Sequence, residues 1–417
     1  MKNLLITLPF VLMLLSVAFM PFVHQHWWEA HFRKVATFFA AIIIFYYALV
    51  LHDGHRLSLA LHDYLSFIIL IGSLFVVTGG IHLRVRGQAT PMTNVLFLII
   101  GAVLANFIGT TGASMLLIRP WITMNRYRIT AFHIIFFIFI VSNVGGCLSP
   151  IGDPPLFLGF LRGVPFFWLI KNLWPAWLLA IGLLTGVFYF FDKKNFLRAP
   201  CAIRELETEN ESWKISGLFN LGSLFLIIGA VFLPSPYREL LMMAAAVLSY
   251  RLTPKTIFEM NKFTFYPIEE VAWLFFGIFA TMIPVLDYVE GPSVLSLLST
   301  WNLGPKHFYY LTGILSAFLD NAPTYVTFFE MHLGLLGMGH VSHVAAIVTQ
   351  DVKTIMALSL GAVFFGAMTY IGNGPNFMVK TIAEKADIRM PGFFSYLLSY
   401  SLPILLPVLL LIGWIFL

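Results

Sequence analysis

The stretch at residues 142–157, SNVGGCLSPIGDPPLF, decides the fold because it interrupts an otherwise apolar segment. Residues 130–141 before it are mostly apolar, as expected for a helix that crosses a membrane. The stretch holds three glycines and three prolines, and both residue types break helices, because glycine is conformationally free and proline lacks the amide hydrogen. Asp153 adds a carboxylate to it. The pattern predicts a membrane helix that is broken in two around a polar site.

The whole chain has the composition of a membrane protein. Of its 417 residues, 59% are hydrophobic and only 11% are charged, against about a quarter charged in soluble domains. So few charges cannot cover a water-soluble fold of this size, which excludes most enzymes and nucleic-acid-binding modules. Cys147 and Cys201 are the only cysteines, too few for a disulfide scaffold. We expect an all-α polytopic membrane protein that is not an enzyme and has neither a cofactor nor a nucleic-acid partner.

Ten apolar stretches have the length and composition of membrane spans. They lie at 3–22, 36–51, 63–80, 130–161, 172–191, 215–233, 237–250, 268–289, 354–379 and 394–416. Two further apolar segments, 93–118 and 306–332, contain polar centres with the sequences GTTG and DNAPT. Each of these segments predicts two half-length helices that meet at a tip, which is the pattern of a re-entrant hairpin.

The basic residues indicate how the spans are oriented. Alternating the loops between the two sides of the membrane places 18 of the 25 Lys and Arg residues on one side. The positive-inside rule makes that side cytoplasmic, so we predict that both termini are periplasmic, in a bacterial inner membrane. Residues 3–22 have the length of a signal peptide, but no small-residue cleavage site precedes Pro21, so we interpret them as a retained span.

A hydrophilic linker divides the chain into two halves with the same order of segments: three spans, a hairpin, a broken span and a final span. The first half, the cytoplasmic linker and the second half are 1–191, 192–214 and 215–417. Aligning the two breaks places Asp153 over Asn373 and Gly146 over Gly366. Because five is an odd number of spans, the second half must be inverted. Inverted repeats with broken helices are typical of secondary transporters, whose sites lie near the middle of the bilayer. A channel is a weaker alternative, because the halves differ at their polar positions.

The polar residues at the tips and breaks are the candidate ion ligands, because hard cations prefer carboxylate, hydroxyl and carbonyl oxygens. The candidates are Asp153, Asp320, Asn143, Asn321, Asn373, Thr110, Thr111, Ser114, Ser142, Ser149, Thr324, Thr369 and Asn376. Glycines and prolines at the breaks expose further carbonyl oxygens. These positions are Gly146, Gly152, Pro154, Pro155, Gly366, Gly372 and Pro375.

Asp153 and Asp320 decide the expected chemistry. A charged side chain in the middle of a membrane is costly unless a counter-ion or a proton accompanies it. Competition between Na+ and H+ for one carboxylate produces antiport when the site is exposed alternately to the two sides. The alternative is that each aspartate only caps the helix that follows it. The Asn and Thr candidates have a similar alternative, since they can hydrogen-bond helices together without binding a ligand.

Three stretches resemble a known superfamily of ion transporters: FIGTTGAS at 107–114, SNVGG at 142–146 and IGDPP at 151–155. This superfamily includes NhaD-type sodium/proton antiporters, arsenite permeases, and citrate and dicarboxylate carriers. The chain is most similar to the branch described as sodium/proton antiporters or putative citrate transporters. The resemblance implies an elevator-type mechanism, a homodimer in the lipid membrane, and ion sites formed by the hairpin tips against the broken helices.

At the tips the chain departs from the dicarboxylate carriers, which the resemblance credits with a Ser-Asn-Thr triplet that binds carboxylates. Asp320 would place a negative charge against an anionic substrate, and neither break contains Lys or Arg. The sequence therefore favours exchange of Na+ for H+, with Li+ as a second candidate cation. A sodium-coupled carrier of citrate, a dicarboxylate or another organic anion is the alternative, and an oxyanion permease or channel ranks below it.

Overall fold

The computed structural model describes residues 4–86, 89–198, 200, 212–337 and 348–417, and most of these residues are helical. Eight of the described helices are long and apolar enough to cross a membrane. They are Leu4–Pro21, His26–Val50, Gly54–Gly79, Pro91–Met124, Ala131–Leu148, Trp168–Arg198, Tyr266–Val289 and Phe393–Phe416. Two shorter apolar helices are Phe219–Ala230 and Val352–Met368. The chain is therefore a multi-pass membrane protein.

The α-helices are numbered here in chain order. They are α1 (Leu8–Val23), α2 (Gln25–Phe45), α3 (Gly54–Gly79), α4 (Pro91–Met124), α5 (Ala131–Ile140), α6 (Pro154–Leu161), α7 (Trp168–Arg198), α8 (Phe219–Ala230), α9 (Tyr237–Leu252), α10 (Lys255–Met260), α11 (Tyr266–Val289), α12 (Pro292–Ser299), α13 (Pro305–Phe318), α14 (Asn321–Leu335), α15 (Val352–Phe365), α16 (Gly374–Glu384), α17 (Phe393–Tyr396) and α18 (Leu406–Phe416). Short 3-10 segments are Leu4–Thr7, Val144–Leu148 and Gly366–Met368, and π-helical segments are Tyr46–Val50 and Leu397–Leu405. The strands are β1 (His82–Arg86) and β2 (Ser212–Ser216).

These helices do not match the ten predicted spans one for one. The predicted span 36–51 belongs to a longer helix that begins at Gln25. The predicted span 237–250 corresponds to α9, which has 16 residues and buries Arg238 and Glu239 in its first turn. A hydropathy pattern identifies apolar stretches, but it does not show where a helix begins or whether neighbouring helices bury its polar residues.

α4 folds back on itself at Gly109, which has φ 75° and ψ 155° inside an otherwise helical run of 34 residues. Straight, a helix of this length would extend about 50 Å. Instead, Asn94 near its start donates to Asn125 just beyond its end, at 2.8 Å. Gly101 and Leu117 also approach each other across the two arms. The arms on either side of Gly109 therefore lie side by side.

α13 and α14 form a second fold-back. The chain leaves the helix at Leu319 and Asp320, both of which have extended backbone angles. The ring of Phe308, near the start of α13, lies 5.1 Å from the ring of His332, near the end of α14. Both segments that the sequence predicts as hairpins thus reverse direction at their polar centres.

Two helices are interrupted where the sequence predicts breaks. α5 and α6 are separated by extended and 3-10 backbone around Val144–Leu148, and α15 and α16 by a similar stretch around Gly366–Met368. In the first break Gly146 packs on the carbonyl of Gly152, and in the second Gly366 packs on the carbonyl of Gly372. These contacts leave no room for a Cβ atom at Gly152, where it would lie 2.0 Å from the Gly146 oxygen.

The expectation of an all-α protein misses a small antiparallel ribbon. β1 pairs with β2, with Arg84 opposite Lys214 and Val85 opposite Trp213. The ribbon joins the chain after α3 to the end of the predicted linker 192–214. The first residues of that linker, 192–198, belong to α7, which ends at Arg198. Residues 199 and 201–211 lie outside the described residues. Both strands, HLRVR and SWKIS, alternate polar and apolar residues, which is the period-two pattern of a strand, so the sequence contained a signal that the all-α expectation did not use.

Candidate functional site

Both hairpin tips and both helix breaks meet at Asp153. This residue precedes Pro154, the first residue of α6, and is 1% exposed. Proline at the first helical position fixes where α6 begins, because its ring presets the helical φ angle and its missing amide hydrogen is not needed there. Asp153 therefore immediately precedes the residue at which the broken helix restarts, and its side chain is buried inside the protein.

Three neutral side chains donate hydrogen bonds to the Asp153 carboxylate. Thr110 Oγ1, from the tip of α4, donates to Oδ1 at 2.7 Å, and Asn373 Nδ2, from the second break, donates to the same oxygen at 3.0 Å. Asn321 Nδ2, from the tip between α13 and α14, donates to Oδ2 at 2.6 Å. Within the described residues, no ion pair to Asp153 is formed by Lys, Arg or His. The buried carboxylate thus has hydrogen-bond donors but no positive partner.

Three asparagines connect the two breaks directly. Asn143 Nδ2 donates to Asn376 Oδ1 at 2.7 Å, and Asn373 Nδ2 lies 3.2 Å from Asn143 Oδ1. Asn373 also donates to the carbonyl of Ser142 at 3.1 Å, while Asn376 Nδ2 donates to the carbonyls of Gly366 and Thr369 at 2.8 and 3.0 Å. All three amides are at most 2% exposed. They form a continuous chain of hydrogen bonds between the two breaks.

Asn321 retains an acceptor that no donor uses. Its Nδ2 donates to Asp153, which fixes the orientation of the amide, because the opposite orientation would place two oxygens against each other. Its Oδ1 is buried and has no hydrogen-bond partner among the described residues. A buried carbonyl oxygen without a partner is costly, unless a cation binds it. Together with Asp153, this oxygen gives the site the ligand chemistry of a hard cation.

Asp320 caps a helix, which is the alternative to ion binding that the sequence left open for it. Its carboxylate accepts from the backbone nitrogen of Ala322 at 3.0 Å, as a cap of α14. It is half-buried, and its neighbour Asn321 donates to Asp153. Thr324 donates to the Asp320 carbonyl at 2.9 Å, inside its own helix, and makes no contact with Asp153 in the described structure. The cap and the nearby charge are compatible, so the ion-binding role stays a prediction.

Several other candidates hold the tips and breaks together. Ser149 Oγ donates to the carbonyl of Asn106 at 2.6 Å, and Thr369 Oγ1 donates to the carbonyl of Ala317 at 2.5 Å. Ser142 and Ser114 share a hydrogen bond of 2.8 Å between their hydroxyls. These hydroxyls form hydrogen bonds within the protein itself, and for Thr369 this is the alternative that the sequence left open.

The glycines and prolines at the breaks allow close approach. A Cβ atom at Gly146 would lie 2.6 Å from the Thr110 methyl, and one at Gly366 would lie 3.2 Å from Asn143 Oδ1. Pro155 in α6 and Pro375 in α16 both lie in the first turn, where no helical hydrogen bond is lost. Small residues are therefore needed here because the backbones of different segments nearly touch.

Asn106 is a positioning residue that the sequence reasoning missed. Its Nδ2 donates to the Gly145 carbonyl at 2.7 Å, and its Oδ1 accepts from the Leu148 nitrogen at 2.8 Å. It thereby fixes the first hairpin against the first break. The available signal was an amide in an apolar arm, four residues before Thr110, where a polar side chain needs a partner.

A cavity of about 20 Å³ lies beside Asp153. It is lined by Gly109, Thr110 and Thr111 at the tip of α4 and by Phe67, Leu70, Ile71, Leu74 and Phe75 of α3. A volume of this size accommodates about one water molecule. Asp153, Thr110 and Thr111 line it together with mostly apolar residues.

The donor set contains no cluster for a transition metal. No group of three or more His, Cys, Asp or Glu side chains is arranged to hold a metal ion in the part of the chain that the structure describes. The site consists instead of one carboxylate, amide oxygens and hydroxyls, which are the ligand types of hard cations.

Comparisons with known proteins cover nearly the whole chain. A family model described as putative citrate transport matches residues 1–417. The 46 kDa membrane protein of Mycobacterium leprae (strain TN) is 22% identical over 323 residues, which are 72% of this chain and 72% of that protein. The chain is thus similar to a membrane protein and to a transporter family along most of its length.

Proposed function

The chain belongs to the putative citrate transport family, and from that premise we propose that it is a secondary active transporter that exchanges Na+ for H+ by alternating access. Li+ is the second cation that we expect the site to accept. Membership of the family indicates that the protein is a transporter, and the chemistry of the site supports Na+ and H+ as the transported ions. The coupling ions would bind at Asp153 and at the amide oxygens around it.

The observation that carries this proposal is the isolation of the Asp153 carboxylate. It accepts from Thr110, Asn321 and Asn373, all of them neutral. A buried charge needs a proton or a cation to offset the cost of its desolvation. Na+ and H+ can both neutralise this carboxylate, but not at once, and mutual exclusion at one site is the requirement for exchange. The free Oδ1 of Asn321 supplies a second ligand to Na+.

Corresponding contacts in the two halves support the proposed inverted repeat and re-entrant hairpins. Ser149 binds the carbonyl of Asn106, and Thr369, its counterpart, binds the carbonyl of Ala317. Each pair joins a break to the hairpin arm just before its tip. Such matched contacts are expected if the two halves carry equivalent hairpins and breaks of opposite orientation.

The remaining details of this proposal rest on the sequence. The distribution of Lys and Arg favours periplasmic termini in a bacterial inner membrane. The superfamily resemblance favours an elevator motion and a homodimer. In such a motion the tips and breaks would carry the ion across the membrane past a fixed scaffold.

The test is exchange in everted membrane vesicles with an imposed pH gradient. Addition of NaCl should dissipate the gradient, and LiCl should act similarly. Asp153→Asn, which keeps the size of the side chain but removes its charge, should reduce the response to the level of vesicles without the protein. Asp320→Asn retains the capping group, since Asn caps helices well, and therefore tests the charge alone. We expect it also to abolish exchange.

Asn172→Ala is a matched control, because this amide only donates to a carbonyl within α7. It should exchange at the wild-type rate. The assay is repeated at pH values from about 6.5 to about 9, where carboxyl groups with raised pKa values titrate. An absence of response to Na+ and Li+ at every pH in this range would contradict the proposal.

The second candidate is a carrier of citrate or another organic anion, coupled to Na+ or taking the anion as a metal chelate. The family description favours it. The N-termini of α6, α14 and α16 also point towards the same centre, and helix N-termini attract anions. Asp153, Asp320 and the small cavity weigh against an uncompensated anion. Sodium-dependent uptake of labelled citrate or succinate into vesicles, without Na+/H+ exchange, would favour this candidate.

A further inference from the structure

Arg162 lies at the far end of two helices that also meet at Asp153. The start of α6 is joined to the start of α14 by the hydrogen bond from Asn321 Nδ2 to Asp153 Oδ2, at 2.6 Å. Arg162 directly follows α6, and its Nε lies 2.6 Å from Oε1 of Glu330 on α14. The Arg162 side chain is 8% exposed, so the ion pair is shielded from water.

The two helices also touch between these ends. Gly159 of α6 faces the hydroxyl of Tyr325 of α14, and a Cβ atom at Gly159 would lie 2.4 Å from that hydroxyl. Contacts at the start, middle and end fix α6 and α14 together. They therefore form one body, which we call the α6/α14 pair.

The same guanidinium reaches a third helix. Arg162 Nη2 lies 3.6 Å from Oδ2 of Asp63 on α3. Asp63 precedes Phe67, Leu70 and Leu74 at steps of four, three and four residues, so all four lie on one face of α3. The three apolar residues are part of the cavity wall. The α3 contact of Arg162 thus lies on the same face as the cavity wall.

We propose that Arg162 is a latch that closes the cavity beside Asp153. Its bond to Glu330 keeps the α6/α14 pair together, and its longer contact with Asp63 fastens this pair to α3. Pro154 and Phe157 of α6 line the cavity together with α3, so movement of the pair away from α3 opens it and separates Arg162 from Asp63. Because Glu330 moves with Arg162, the guanidinium retains one carboxylate throughout, and opening does not leave a buried charge unpaired.

This latch rests on the alternating access of the proposed function, and it adds a positioning residue remote from the ion. Arg162 is not itself an ion ligand, since it follows the end of α6 that is opposite Asp153. Removing the Asp63 charge should therefore shift the population towards the open cavity, without removing any group that binds Na+.

The test measures accessibility of the cavity wall in purified full-length protein in lipid nanodiscs, where both faces are reachable. Ile71→Cys is introduced with Cys147→Ala and Cys201→Ser, and its reaction with a charged methanethiosulfonate reagent is timed. Adding Asp63→Asn should raise the labelling rate about fivefold, the population shift expected for loss of a partly buried ion pair. Asp63→Glu, which retains the charge, should restore the original rate.

Asp53→Asn is the matched control. Asp53 is a carboxylate at the same end of α3, but it caps the helix by accepting from the Arg56 nitrogen at 3.1 Å. It should not change the labelling rate. A rate for Asp63→Asn equal to that of the parent, or an equal increase in Asp53→Asn, would overturn the latch. The assay requires no transported ion, so faster labelling without Na+/H+ exchange would support the latch while contradicting the proposed function.

Discussion

At the residue scale, the site depends on how one carboxylate is neutralised. Asp153 accepts hydrogen bonds from three segments that are far apart in the sequence, and none of the donors carries a positive charge. Hydrogen bonds of this kind orient a carboxylate, but they do not cancel its charge. This difference is the basis of the proposed function, because a permanent arginine partner would neutralise the charge, whereas neutral donors leave it available to a cation or a proton.

Asn321→Ala tests the amide that both donates to Asp153 and presents a free oxygen. The substitution removes one hydrogen bond to a charged group and one oxygen ligand. We expect the Na+ concentration for half-maximal exchange to rise about tenfold or more, since such a bond contributes roughly 1.5–3 kcal/mol. The measurement is the Na+ dependence of exchange in proteoliposomes. An unchanged Na+ dependence would place Asn321 outside the ion site.

At the scale of the element, glycine determines where helices turn. Gly109 has φ 75°, a region that side-chain-bearing residues rarely adopt. Its Cβ position would lie 3.3 Å from the carbonyl of Ile151, so a methyl group there would press on the first break next to Asp153. The tip of α4 therefore requires glycine at position 109 both for its backbone conformation and for the small space beside it.

Gly109→Ala should destabilise the first hairpin tip by about 1–2 kcal/mol, the usual cost of a residue held in an unfavourable backbone region. We expect lower thermal stability in detergent and slower exchange. Gly182→Ala provides the comparison, because nothing lies within 4 Å of its Cβ position in α7. This control should be neutral or slightly stabilising. Equal behaviour of the two variants would contradict the special role of the tip.

At the scale of the whole molecule, a buried ionic cluster joins the base of the first hairpin to α5 and α7. Asp192 at the end of α7 accepts from Asn94 at 2.8 Å and lies 3.0 Å from His133 Nε2. Arg128 Nη2 donates to the same carboxylate at 3.1 Å. Asp192, His133 and Asn94 are completely buried. The cluster holds three elements together and shares none of its residues with the proposed ion site.

Asp192→Asn should leave the Arg128 charge buried without its partner. We expect a loss of about 3 kcal/mol in stability, since breaking one side of a buried ion pair is strongly destabilising. The readout is the melting temperature of the purified protein, which should fall by several degrees. Glu259→Gln, at an exposed position of α10, should not change it. A small effect in Asp192→Asn would mean that the cluster does not hold these elements together.

The sequence predicted the positions of the interruptions well, because Gly and Pro mark them locally. It placed Asp153, Asn321 and Asn373 among the candidate ligands, and the structure brings all three together. It did not distinguish these residues from Ser149 and Thr369, which bind backbone carbonyls instead. Both groups consist of polar residues at the tips and breaks, and their contacts in the folded chain separate them.

By itself, the sequence determined that the chain is a membrane protein and where its helices break, because apolar length and backbone chemistry are properties of consecutive residues. Only the tertiary structure decided which polar groups share a site. Asn321 reaches Asp153 across 168 residues of chain, and the unused Asn321 oxygen depends on where every neighbouring donor lies. The Arg162 contacts with Glu330 and Asp63 likewise depend on packing between distant helices, which no local pattern records.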